Sequence, residues 1–156
     1  MSSKPVNSQD PHDFLPPGEE LPDPGERVER SPREWAQALP PDVYRVLREE
    51  GTERAGSSEL NDEKRRGLFV CAGCGAPLFT SSTKYESGSG WPSFYAPIEG
   101  AVDSKVDHKL MVPRTEYHCR RCGGHQGHIF NDGPAPTGLR FCNNGLSLRF
   151  IAAESD

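Results

Sequence analysis

The chain has 156 residues, a formal net charge of −5 and 33% hydrophobic residues, with a mean hydropathy of −0.72. That length suits one domain of ordinary size plus a tail, since domains commonly hold roughly 100–150 residues. So low an apolar content implies that part of the chain is disordered and that something besides apolar burial stabilises the rest. No apolar run approaches the roughly 18 residues a bilayer span needs, and residues 31–156 balance 15 bases against 16 acids, so membrane and nucleic-acid partners are not expected.

Residues 1–30 hold six prolines (Pro5, Pro11, Pro16, Pro17, Pro22 and Pro24) and seven acids against three bases. This reads as a solvated acidic extension without a catalytic signature, with the ordered domain covering residues 31–154. The N-terminus has neither the basic start nor the apolar stretch of a secretory signal, so a cytoplasmic location is expected. Thiols stay reduced there, and cysteine pairs read as metal ligands or catalysts rather than structural disulfides.

Ser31-Pro32-Arg33-Glu34 is a capping box with proline at the first helical position, which predicts a short helix through Trp35 to about Leu39. Pro40-Pro41 ends it and starts a second helix. There Val43, Val46 and Leu47 share one face and Gly51 follows as the stop. From Gly67 onward the pattern changes to short runs of strand formers: Leu68 to Val70, Pro77 to Phe79, Met111 to Tyr117 and Leu146 to Ile151. In the last run Leu146, Leu148 and Phe150 alternate with Ser147 and Arg149, the period of a half-buried strand. Glycine and proline between the runs predict antiparallel sheets joined by loops.

Cys71-Ala72-Gly73-Cys74 and Cys119-Arg120-Arg121-Cys122 are two Cys-x-x-Cys turns. A zinc ion takes four thiolates tetrahedrally at about 2.3 Å, and a two-residue spacer lets one turn aim both sulfurs at a single point. Four protein ligands leave no open position, so this zinc is expected to be structural, pinning distant segments together. A thioredoxin-like redox pair would need only one such turn, in a βαβ setting.

One cysteine is left over, Cys142, in Arg140-Phe141-Cys142-Asn143-Asn144-Gly145. Alone it would read as a small buried hydrophobe. Upstream, however, His125 and His128 stand three residues apart among glycines, titrating near neutrality, which suits delivering a proton to an oxygen while a thiolate attacks. A metal site at this pair would want a third ligand. Ser87-Gly88-Ser89-Gly90-Trp91-Pro92-Ser93-Phe94 is a glycine-rich turn whose rings either fill the core or form an apolar wall for a methyl or thioether group.

Taken together, Gly51-Thr52-Glu53-Arg54, both cysteine turns, Gly90 to Phe94, Gly123 to Phe130, Asp132-Gly133-Pro134 and Arg140-Phe141-Cys142 resemble the B-type peptide methionine-R-sulfoxide reductases, over a span from about Ser31 to Phe150. The resemblance implies a mainly β fold of two small antiparallel sheets with N-terminal helices, called a β-tent, and a four-cysteine zinc opposite the active site. It also implies that Cys142 is the nucleophile, that His125 and His128 bind and help protonate the sulfoxide oxygen, and that Asn144 is a polar residue beside them. Trp91 matches the ring that receives the methyl group, and Phe130, Arg140 and Phe141 match residues shaping the pocket. Attack by the Cys142 thiolate would release methionine and leave a sulfenic acid. Preference for the R epimer is likewise carried over from the family.

Many relatives carry a resolving cysteine where this chain has Ser89. With four cysteines on zinc, no thiol remains to resolve the sulfenic acid, so a one-cysteine form is expected, reduced by thioredoxin, glutaredoxin or a small thiol. Gly145 stands where the family usually has serine, and Asn143 where an aliphatic residue is common. The alternative of another class is a non-enzymatic zinc-anchored module holding a ligand or peptide in an aromatic pocket, for which Cys142 would be dispensable.

Overall fold

The computed structural model describes residues 10–16, 18, 20–22, 26–108 and 113–153. Among the described residues two helices, α1 (Pro32–Ala38) and α2 (Pro41–Glu49), precede nine strands: β1 (Gly67–Cys71), β2 (Pro77–Thr80), β3 (Lys84–Tyr85), β4 (Ser93–Phe94), β5 (Val102–Asp107), β6 (Arg114–Cys119), β7 (His125–Phe130), β8 (Arg140–Asn143) and β9 (Leu148–Ala152). They form a three-stranded sheet of order β2-β1-β9 and a six-stranded sheet of order β3-β4-β8-β7-β6-β5. Every pairing is antiparallel. The mainly β class read from the sequence is therefore the class observed.

The capping box forms as its residues dictate: Ser31 Oγ accepts from the Glu34 N–H at 3.2 Å and the Ser31 N–H donates to Glu34 Oε1 at 2.8 Å. Trp35 on α1 is buried between the guanidinium groups of Arg30 and Arg48. Helix α2 ends differently from its sequence expectation. Glu50, not Gly51, takes the left-handed conformation at φ 55°, and the Gly51 N–H donates to the Arg45 carbonyl. A Cβ on residue 51 would lie 2.9 Å from that carbonyl oxygen, so the glycine serves close approach rather than backbone handedness.

β1 is buried along its whole length because it is central and covered on both faces. Phe69 and Cys71 face the main core, while Leu68 and Val70 face a second cluster completed by Phe14. Phe14 belongs to a 3-10 turn, Pro11–Phe14, capped by the Asp10 side chain. Apolar cover for the outer face of β1 thus comes from a segment that the sequence reading placed within the acidic extension; residues 1–9 lie outside the described residues. Between the sheets, Phe79 stacks on Phe94 at 4.0 Å, and Phe141 meets Phe79 and Tyr117 edge-on.

Of the runs read as strands, Leu68 to Val70 and Pro77 to Phe79 lie in β1 and β2. Met111 and Val112 fall outside the described residues. Leu146 lies in a 3-10 turn, Gly145–Ser147, so the alternating strand starts at Leu148.

Candidate active site and metal cluster

The two cysteine turns sit at strand ends of different sheets: Cys71 closes β1 and Cys119 closes β6. Their four sulfurs all lie within 4.8 Å of one another, with Cys71–Cys122 and Cys74–Cys119 each at 3.6 Å. A regular tetrahedron of thiolates around an ion at about 2.3 Å has edges of about 3.8 Å, so the cluster fits a four-coordinate metal. Main-chain N–H groups of Gly73 and Gly124 donate to Cys71 Sγ and Cys122 Sγ at 3.4 Å, and Gln126 Nε2 donates to Cys71 Sγ at 3.5 Å. Donors directed at sulfur favour the thiolate form that metal binding requires. A metal held here ties the two sheets together.

Cys142 lies on β8, opposite Ser93 of β4 on one side and His128 of β7 on the other. Directly opposed residues in antiparallel strands share a face, so thiol and imidazole project on the same side of the sheet. They open into a cavity of about 110 Å³ lined by Thr52, Trp91, Arg114, Gly127, His128, Phe130, Cys142 and Asn144. Gly127 allows the two strands to close up beside the thiol, because a Cβ there would collide with the Cys142 carbonyl oxygen. A larger cavity, about 420 Å³, lies near Pro11, Ile98 and Arg120, but no thiol lines it. None of the four clustered cysteines lines the smaller pocket, so the metal cluster and the fifth thiol are separate sites.

Burial pushes the Cys142 thiol pKa up, opposed by a hydrogen bond from Ser89 and by the charge and hydrogen bonding of Arg140. Arg140 is itself anchored by Asp132, with Nε to Oδ1 at 2.9 Å, and lies 4.2 Å over the Phe130 ring. Trp91 is held by a hydrogen bond from its Nε1 to the Glu53 carbonyl at 3.1 Å. The Asn144 amide is committed on both sides, accepting from the Glu53 N–H at 3.0 Å and donating to the Gln126 carbonyl at 3.0 Å.

The structure thus brings Cys142, His128, Asn144, Trp91 and Phe130 around one pocket, with Arg140 flanking it. His125 and Phe141 do not line it. His125 is buried behind His128 with ring centroids 5.6 Å apart, its Nδ1 lying 3.1 Å from Glu116 Oε1. Phe141 precedes Cys142 on the strand, so it points to the opposite face and packs into the aromatic core. Thr52, Arg114, Gly127, Glu53 and Ser89 were not singled out from sequence as site residues. Thr52 and Glu53 lay in the Gly51 to Arg54 block, Gly127 in the Gly123 to Phe130 block and Ser89 in the turn before Trp91, whereas Arg114 carried no signal.

Two sheets joined at a four-cysteine cluster placed to bind a metal ion, with a fifth, half-buried thiol facing an imidazole in its own pocket, define the class: a β protein with a candidate metal cluster and a separate thiol site. A family model described as the SelR domain matches residues 39–152. The chain is 54% identical over 124 residues to a protein of Leptospira interrogans named peptide methionine sulfoxide reductase MsrB, covering 79% of this chain and 95% of that one. Proteins of the same name from Hahella chejuensis, 48% identical over 84% of this chain and 95% of theirs, and Methanosarcina barkeri, 51% identical over 81% and 90%, are similar as well. The chain belongs to the SelR-domain family.

Proposed function

We propose that this protein reduces methionine-R-sulfoxide in oxidised proteins and peptides back to methionine, with Cys142 as the nucleophile. The observation that carries this reading is the pairing of Cys142 with His128 across β8 and β7, beneath Trp91 and in a very small pocket. Drug-sized ligands fill roughly 300–1,000 Å³. A cavity of about 110 Å³ suits only the tip of a side chain, which fits a residue presented by a peptide.

The Cys142 thiolate attacks the sulfoxide sulfur while His128 delivers a proton to the sulfoxide oxygen, with His125 and the Glu116 carboxylate behind it. The sulfur–oxygen bond breaks, methionine leaves as the thioether, and the oxygen passes to Cys142 as sulfenic acid. Trp91 provides the wall for the methyl group, Phe130 and Arg140 shape the other side, and Asn144 fixes the floor. Phe141 supports β8 from the core side. Two thiol equivalents from thioredoxin, glutaredoxin or a small thiol then return Cys142 to the thiol, with water and a disulfide as products. The reductant acts on the sulfenic acid directly, because Ser89 stands where many relatives carry a resolving cysteine and a hydroxyl cannot form a disulfide.

Cys71, Cys74, Cys119 and Cys122 would hold one zinc ion, which supplies folding energy and takes no part in the chemistry. Residues 31–154 form the catalytic domain in this reading, acting in the cytoplasm, where thiols are reduced. Among the described residues no helix is long and apolar enough to cross a membrane. A module that only binds a ligand is not favoured, since it gives Cys142 no task.

The test is a turnover assay on peptides carrying resolved R or S methionine sulfoxide, with dithiothreitol or thioredoxin as reductant. Reduction of the R peptide alone, abolished by Cys142→Ser, is the expected outcome. Turnover of neither epimer, or full activity in the Cys142→Ser variant, overturns the reading.

A further inference from the structure

The turn carrying Trp91 contains three serines whose hydroxyls form a continuous hydrogen-bonded chain ending at Cys142. Ser93 Oγ and Ser87 Oγ are 2.7 Å apart, Ser87 Oγ and Ser89 Oγ are 2.8 Å apart, and Ser89 Oγ lies 3.8 Å from Cys142 Sγ. We propose that Ser89 is a catalytic residue that donates its hydroxyl proton to a hydrogen bond with the Cys142 thiolate, and that Ser87 and Ser93 orient that donor. The proposal rests on Cys142 being the nucleophile.

Each hydroxyl has one hydrogen, so the direction of the chain follows from the group at its end. Ser93 Oγ lies 2.7 Å from Ser87 Oγ and 3.1 Å from the Trp91 carbonyl, and Ser89 Oγ approaches that carbonyl at 3.4 Å. Ser87 Oγ accepts the Ser89 N–H at 3.2 Å, and Ser89 Oγ accepts the Trp91 N–H at 3.4 Å. A thiolate can only accept, so with Cys142 ionised the chain runs one way with each hydrogen used once: Ser93 donates to Ser87, Ser87 to Ser89, and Ser89 to the sulfur. Donors feeding its oxygen polarise the Ser89 hydroxyl and strengthen the bond it makes.

This bond answers a specific difficulty. Burial disfavours the charged sulfur, yet only the thiolate is nucleophilic. Other charged or titratable groups facing the thiol are Arg140 on its own strand, His128 across β7, Arg114 and Glu53 beside the pocket, and Tyr85 and Tyr117 nearby. None of them is altered by substitution at Ser89.

The experiment measures iodoacetamide alkylation of Cys142 against pH, followed by mass spectrometry of its peptide, in the wild-type holoprotein and in Ser89→Ala, Ser89→Thr and Ser87→Ala. In Ser89→Ala the thiol pKa should rise by about one unit, so the alkylation rate at neutral pH falls about tenfold. The alkaline plateau should stay within about twofold of wild type, because access to the sulfur is unchanged. Ser89→Thr keeps a hydroxyl and should return most of the rate, and Ser87→Ala should shift the pKa in the same direction by less. An unchanged pKa in Ser89→Ala, or a rate lowered equally at every pH, overturns the proposal. Because alkylation needs no turnover, the two readings fail separately. A shifted pKa in a protein that reduces neither epimer would sink the reductase reading and leave the Ser89–thiolate bond without a catalytic role, while a Cys142-dependent reductase with an unmoved pKa would sink only the role of Ser89.

Discussion

The main-chain N–H of Glu53 donates to the side-chain oxygen of Asn144 at 3.0 Å, across 91 residues of sequence. The same Glu53 accepts the Trp91 indole N–H on its carbonyl at 3.1 Å and the Leu146 N–H on its carboxylate at 2.7 Å. One buried residue therefore joins the wall of the pocket to its floor and to the turn after Cys142.

Removing the Asn144 side chain leaves the buried Glu53 N–H without a partner, which costs about 1–3 kcal/mol. Asn144→Ala should lower stability by that amount and raise KM for sulfoxide peptides as Trp91 loosens. Urea denaturation and steady-state kinetics check this. Unchanged stability with a loss in kcat alone would show that Asn144 acts on substrate rather than on position.

The contact between Gly145 and Ser58 requires glycine at position 145. A Cβ on residue 145 would overlap Ser58 Oγ, which caps the Leu60 N–H at 3.1 Å. Gly145→Ser should therefore destabilise the fold by about 1–3 kcal/mol, an overpacking cost. The double variant Gly145→Ser, Ser58→Gly should recover most of it in thermal melts. A single variant as stable as the wild type contradicts this account.

The four-cysteine cluster joins β1 to β6, and the aromatic core lies between the sheets it connects. Stripping the metal with a strong chelator should lower Tm steeply and remove the cooperative transition, because metal affinity is folding free energy in such sites. Elemental analysis should find one zinc per chain. A chelated protein that melts as before would contradict a structural role.

The pH dependence follows from the direction of the Cys142 shift. Its thiol pKa is raised by burial, so at neutral pH most molecules hold the protonated, unreactive form, and the thiolate fraction grows as pH increases. Alkylation of Cys142 by iodoacetamide, which needs no proton from His128, should therefore climb with pH between about 6 and 8, approaching tenfold per unit. A profile flat over this window would mean a thiol already ionised, contrary to the burial.

The sequence made some parts of this molecule legible and hid others for definable reasons. Cys-x-x-Cys spacing is a local geometric requirement, so all four clustered cysteines were readable. Ser31 to Glu34 announced a helix start because capping involves neighbours only. β7 and β8 were read as motifs rather than strands, since His125 to Phe130 and Arg140 to Asn143 spend their side chains on the site and on a buried polar network instead of alternating apolar with polar. In that network the Tyr117 hydroxyl donates to Asn143 Oδ1 at 2.7 Å, and Asn143 Nδ2 donates to Gln126 Oε1 at 3.1 Å. β5 is an edge strand of mostly polar residues with Val106 58% exposed, and it lacks a hydrophobic face to detect. β3 and β4 have two residues each, too few for any period. His125 and His128 were alike in sequence, and only the register of β7 separates the one facing the thiol from the one behind it. Phe14 escaped notice because an isolated aromatic among prolines and acids has no pattern, although β1 needed something to cover its outer face.

The most direct measurement is intact-protein and peptide mass spectrometry after one equivalent of an R-methionine-sulfoxide peptide, with no reductant and with dimedone as trap. One oxygen gained at Cys142, or its dimedone adduct, should appear together with one equivalent of reduced peptide, and the four clustered cysteines should stay unmodified. Reduced peptide formed while Cys142 remains an unmodified thiol, or linked to another cysteine of the chain, would contradict the account.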